Sequence, residues 1–157
     1  MAYSEAAVVN FVHNTLTAHE DIFNGTPTSD IVNMDGWTEC LWLIDKSAGG
    51  TGTAVITVES CDDTSATTAT AVAFDYQAMT SGNTWGSRTA AAAGGFTTTA
   101  GANQGYKVWI RADELSGTDK FVRLKATESA NDPVDGAIVT VLLGPKYPQD
   151  PPAAAIS

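Results

Sequence analysis

Histidine, cysteine and positive charge are all scarce in this chain, and each shortage removes a class of function. The 157 residues include two histidines and two cysteines. His13 and His19 stand six apart, a spacing that places a pair on one face of neither a strand nor a helix. Zinc also needs further ligands that this sequence does not supply. Two cysteines do not make the staple framework of a small secreted scaffold. Eight Lys and Arg against 18 Asp and Glu leave a formal charge of −10. Phosphate backbones and anionic bilayers repel such a surface, so neither nucleic acid nor membrane is an expected partner. No stretch approaches ~18 consecutive apolar residues, the length that spans a bilayer. Met1 to Glu5 lacks the basic start and apolar stretch of a secretory signal, which makes the cytoplasm the expected place of synthesis. There is no G-x-S-x-G elbow, and the glycine-rich stretches carry no G-K-[ST] and no βαβ context. The expectation is a protein with no catalytic residues, no cofactor and no bound metal.

What the chain does have is Thr, Ala, Gly and Val throughout, with 43% hydrophobic residues. That is enough for a core, in a mix that favours strands and tight turns. Val8, Val9, Phe11 and Val12 fit a short strand or one helical turn, and β-branching favours the strand. Thr17 to Ser29 is polar, with Gly25 and Pro27, and reads as a loop or arm. Trp37 to Asp45 is a strand apolar on both faces, followed by a glycine-rich turn from Lys46 to Gly52. Thr53 to Cys61 then reads as its hairpin partner. Ala71 to Tyr76, Tyr106 to Arg111, Asp119 to Thr127 and Gly136 to Gly144 are further strands. Between them, Ser81 to Gly105 carries six glycines and four consecutive alanines from Ala90, the composition of a long functional or mobile loop. Its Phe96 to Thr99 piece is a candidate edge strand. Strands at roughly 8–12-residue spacing predict an all-β, antiparallel β-sandwich, jelly-roll-like or Ig-like. We place an N-terminal arm at 1–29, the sandwich at 30–145 and an extended proline-rich tail at 146–157.

Few groups invite a chemical reading. Glu59, Asp62 and Asp63 offer three carboxylates where calcium wants six to eight oxygens, so an acidic strand-end turn is the simpler account. If Trp37–Asp45 and Thr53–Cys61 form a hairpin, Cys40 and Cys61 fall opposite each other within reach of a disulfide, although a one-residue slip separates them. Two reduced, buried thiols are the favoured state for a cytoplasmic product. Asn24-Gly25-Thr26 is a glycosylation sequon without a secretory context. Of the four tryptophans, Trp42 and Trp109 lie in strong strands and are expected in the core. Trp85, in the glycine-rich loop, is expected to be partly exposed, as an interface anchor or a sugar-stacking surface.

Several pieces in fixed order resemble a small protein encoded beside the major capsid protein of tailed bacteriophages. Val58-Glu59-Ser60-Cys61-Asp62-Asp63 resembles a V-x-E-S-D-D strand end, followed by the aromatic strand Ala71 to Tyr76. Tyr106 to Arg111 and Lys120-Phe121-Val122-Arg123-Leu124 are similar to that family's paired strands, the second reading K-x-V-R-L. Gly136 to Tyr147 is similar to its closing strand with an L-G-x-P-x-x-x-P tail. The likeness covers about Ile31 to Pro148 and departs at Cys61 and at the loop from Ser81. It implies a capsid decoration (cement) or auxiliary head protein on the outer surface of the virion. Its partner would be the major capsid protein of a tailed phage, with self-association as a trimer.

The contacts are then expected on the arm, at Val8, Val9, Phe11 and Val12, on the loop, at Trp85 and Phe96, and on the tail, at Tyr147, Pro148, Pro151 and Pro152. Segments that order on binding can wrap a large surface. Two alternatives stand beside this reading: a tail-tube or minor tail structural protein, and a carbohydrate-binding β-sandwich module.

Overall fold

A computed structural model describes residues 9–12, 21–49, 51–80 and 82–147, with the backbone alone at 9–12, 48 and 49. Val8, His13, His19, Pro148, Pro151 and Pro152 lie outside the described residues. Eleven strands occur among the described residues. They are β1 (Val9–Val12), β2 (Val32–Asn33), β3 (Trp37–Gly49), β4 (Thr53–Cys61), β5 (Ala69–Val72), β6 (Phe74–Met79), β7 (Thr89–Ala91), β8 (Phe96–Thr97), β9 (Gln104–Arg111), β10 (Phe121–Ala130) and β11 (Val134–Pro145). One 3₁₀ turn, Ala112–Glu114, follows β9.

The strands form two antiparallel sheets packed face to face. One has the order β1-β11-β3-β9-β6-β7 and the other β2-β10-β4-β5, with β8 pairing β4 beyond the end of β5. The pairs β1·β11, β2·β10, β3·β9 and β4·β5 match the two ends of the chain inward. This is one long antiparallel hairpin rolled into two sheets, the jelly-roll arrangement. An insertion between β5 and β9, β6–β8, widens the first sheet and returns to the second.

This topology corrects the expected β3–β4 hairpin. β3 lies between β11 and β9, whereas β4 lies in the other sheet between β10 and β5. The chain therefore passes from one sheet to the other between β3 and β4. The crossing is tight: a Cβ on Gly52 would lie 2.0 Å from the Asp132 carbonyl oxygen, so only glycine fits. Cys40 sits in the core cluster while Cys61 does not, and both are free thiols. Burial pushes the Cys40 thiol well up and raises that of Cys61 to about 11.

Period-two alternation explains the core. Cys40, Trp42, Ile44 and Lys46 of β3, Ala54, Ile56 and Val58 of β4, Tyr106, Val108 and Ile110 of β9, and Val122, Leu124 and Ala126 of β10 are all buried between the sheets. Buried polar groups find partners. The Trp42 indole Nε1 donates to Ser29 Oγ at 3.3 Å, which also accepts from Leu124 N at 2.9 Å.

Three expectations change here. Ile22 and Phe23, from the stretch read as a loop or arm, are core residues at 6% and 1% exposure. Residues 25–29 then run along β10, where Ala126 N donates to the Pro27 carbonyl and Ser29 N to the Leu124 carbonyl. Pro27 suits that position because an edge strand can spare one amide. Lys46, assigned to the turn, is a strand residue with a fully buried side chain. Its Nζ donates to the Gly52 carbonyl at 3.0 Å and the Thr99 carbonyl at 2.7 Å. Burial holds its ammonium below the ordinary lysine range.

The stretch 82–105 is tied down rather than loose. Thr98 N donates to the Ala54 carbonyl, and Thr99 N to the Tyr106 hydroxyl at 2.8 Å, which donates in turn to Gln104 Oε1 at 3.0 Å. The expected edge piece is present as β8.

Candidate interaction surface

Alternation that fills the core must also choose what faces outward. At the centre of the first sheet the outward residues are Leu41 and Leu43 of β3, Lys107 and Trp109 of β9, and Val139 and Val141 of β11, with Glu39, Asp45 and Arg111 outward towards the strand ends. Register aligns the central residues in two adjoining rows. Val141 lies beside Leu41, which lies beside Trp109; Val139 lies beside Leu43, which lies beside Lys107. Leu41, Leu43 and Trp109 are half-buried, and Val139 is 37% exposed. Val141 is buried although it stands outside the core cluster, and its register partner in β1 is Phe11.

Trp85 joins this face from the insertion. The loop that carries it folds back on β6, where Gly86 N donates to the Ala78 carbonyl and Gln77 Nε2 to the Gly86 carbonyl. The indole then lies over Gly105: a Cβ there would stand 3.2 Å from Trp85 Cη2 and 3.0 Å from Met79 Cε. Lys107 Nζ sits 4.2 Å from the Trp85 ring centroid, and the Arg88 guanidinium 5.6 Å from that of Trp109. Arg88 also pairs with Asp75, and that carboxylate raises its pKa further. Each of these two indoles therefore has a cation over it, drawn by the negative face of the ring.

The sequence-predicted contact residues divide. Trp85 is half-buried on this face, as expected. Tyr147 is 78% exposed at the end of β11, where Lys146 N donates to the Gly36 carbonyl. Val9, Phe11 and Val12 form β1, antiparallel to β11. Phe96 turns inward: its ring stacks on Tyr76 at 3.9 Å and lies 5.5 Å from Tyr106, so internal packing takes its surface. Trp109, expected in the core, lies on the outer face. The signal was present in β9, because Trp109 shares its parity with Lys107 and Arg111, whereas Tyr106, Val108 and Ile110 share the other. Leu41, Leu43 and Val139 were missed for the same reason.

The acidic groups of the β4–β5 turn are used internally. Asp63 accepts from Thr67 N, Ser65 N and Thr67 Oγ1, which holds its carboxyl below the usual range. Asp62 Oδ1 accepts from Thr68 N at 2.9 Å. Glu59 faces away on β4, paired with Arg123 at 2.6 Å and Lys125 at 3.4 Å. Among the described residues no group of three His, Cys, Asp or Glu side chains is placed to hold a metal ion, and no helix is long and apolar enough to cross a membrane. What this surface offers chemically is adhesion through apolar area and two cation-capped indoles. Comparison with family models, with curated proteins and with solved structures found no match.

Proposed function

We propose that the protein is a structural virion component that binds the outer surface of a tailed-phage capsid and stabilises it. The observation that carries the reading is the outer face of the first sheet, where Leu41, Leu43, Trp109 and Val139 stand together in register, partly exposed, with Trp85 lying over Gly105 beside Lys107. Contiguous apolar surface of this kind marks association sites, and tryptophan with arginine is the composition of energetic anchors. The charge of −10 supports the outside of a DNA-filled shell rather than its lumen. Repetition around a symmetric shell would multiply a modest contact through multivalency. The resemblance in strand ends supplies the partner, the major capsid protein, and self-association as a trimer.

The test is co-sedimentation of the purified chain with unexpanded and expanded capsids of its host virus. Saturable binding to one of them is expected; absence of binding to both at micromolar protein overturns the reading. A tail-tube subunit would instead polymerise alone, which size-exclusion chromatography reads directly. A carbohydrate-binding module would lose glycan binding on Trp85→Ala. The Lys107 ammonium over that indole speaks against an open sugar platform.

A further inference from the structure

Sheet edges differ sharply in how they are protected. The β2 side of the second sheet is extended by residues 25–29 and blunted by Pro27. On the other side, β5 ends the sheet among the described residues, with Ala69, Thr70 and Ala71 exposed, and it carries no proline, charge or bulge. Natural proteins usually guard such an edge, since its free amides and carbonyls are a template for another strand.

Register identifies which groups are free. Asp62 N donates to the Thr68 carbonyl at 3.2 Å, which makes that a hydrogen-bonded pair in the β4–β5 ladder. Steps of two residues make Ser60/Thr70 and Val58/Val72 hydrogen-bonded pairs as well. The amides and carbonyls of Ala69 and Ala71 therefore point away from β4, into the open edge. Beside them runs a groove of about 520 Å³, lined by Val72, Phe74, Asp75, Ala91, Glu114 and Ser116 among others. Among the described residues no lysine or arginine lines it, and Arg88, the neighbouring cation, lies in the field of Asp75, Glu114 and Glu39 together.

We propose that β5 is a strand-addition site for an extended segment of a partner protein, with small or β-branched apolar residues entering the groove and a Lys or Arg facing Glu114. Charge selects this occupant over a second copy of the chain. Antiparallel pairing of two β5 strands would bring the Asp62–Asp63 turn of each copy to the Asp75–Glu114 end of the other, between chains that each carry −10. The site deepens the subunit-binding reading and rests on it for the partner's identity alone.

The experiment titrates the full chain, labelled with ¹⁵N, with a blocked peptide of about eight residues, long enough to cover the strand, that alternates Thr and Val around one Lys. The expected result is amide shifts centred on Ala69–Val72, with hydrogen exchange at Ala69 and Ala71 slowed about tenfold. Replacing the peptide's Lys by Glu should weaken binding about tenfold, and N-methylation of its edge-facing amides should abolish it. Ala71→Pro, which removes a donor the ladder does not use, should abolish it from the protein side. Shifts centred elsewhere, equal binding of the N-methylated peptide, or no shift at millimolar peptide overturns the site. Because this is read on the isolated chain, a negative titration leaves the capsid reading to its own co-sedimentation test.

Discussion

The two sheets share one core but present opposite outer faces. On the second sheet, Glu59, Arg123 and Lys125 form an ion-paired cluster, and Thr53 and Ser129 hydroxyls meet at 2.9 Å. Val55, Cys61 and Phe121 are apolar exceptions on β4 and β10, each buried or half-buried, and on β5 the outward side chains are the small Ala69 and Ala71. On the first sheet the central outward positions of β3, β9 and β11 are Leu41, Leu43, Trp109, Val139 and Val141 with Lys107 among them, and the charged Glu39, Asp45 and Arg111 lie towards the strand ends. An antiparallel sheet with a solvated face ordinarily alternates apolar inside and polar outside. The second sheet follows that rule, and the first departs from it at the centre of its outer face, although both bury the same core. The proposed binding role rests on that central difference.

The comparison breaks if stability resides on the outer face instead of between the sheets. Trp42→Ala, which empties a fully buried site, should cost about 3–5 kcal/mol and lower the thermal midpoint by about 10 °C. If that loss were matched by a change on the outer face, the face would be structural core and not a contact surface.

A smaller effect sharpens the contrast. The pair Leu43→Ser and Val139→Ser on the first sheet should cost about 1–2 kcal/mol in chemical denaturation yet weaken capsid co-sedimentation about tenfold or more. Glu59→Gln on the second sheet should cost about 1 kcal/mol, shrink further at high salt, and leave co-sedimentation unchanged. Equal loss of binding from both faces would remove the distinction.

The smallest effect concerns pH. The folded chain favours the neutral Cys61 thiol, whose pKa stands at about 11 against 9.0 for an ordinary thiol. The unfolded chain therefore releases this proton first. Its contribution to stability is complete below pH 9 and is lost as pH rises towards 11. Lys46, whose folded pKa is lowered, acts in the opposite sense: the unfolded chain binds the extra proton, so its contribution rises with pH. Denaturation midpoints of Cys61→Ala and the parent, measured at several alkaline pH values, isolate the thiol. The variant should lose less stability across that window, and parallel curves would show that Cys61 titrates alike in both states.

Much of the architecture was legible in the residues. Alternation in β9, β10 and β11, glycine-rich punctuation and β-branched composition announced an antiparallel sandwich, and the isolation of Trp85 among glycines announced its partial exposure. Strand partners were not legible. A glycine-rich turn between two strand patterns reads as a hairpin, but β3 found β11 and β9, far off in sequence, because pairing across the roll buries both faces of the core. Ile22 and Phe23 were invisible for a related reason: two apolar residues in a polar stretch have no period, and only the cavity they fill explains them.

Parity was the signal within reach. Lys46 stands on the same side of its strand as Trp42 and Ile44, and Trp109 on the same side as Lys107, so each strand's two faces were fixed by covalent alternation alone. Which face turned inward was decided in three dimensions, where the sheets met and water was excluded from one side of each. Alternation is a property of the backbone, and the sequence determines it directly. Partner choice, the protection or exposure of the β5 edge, and the apolar outer face of the first sheet depend on contacts between residues distant in the chain, and only the tertiary structure decided them.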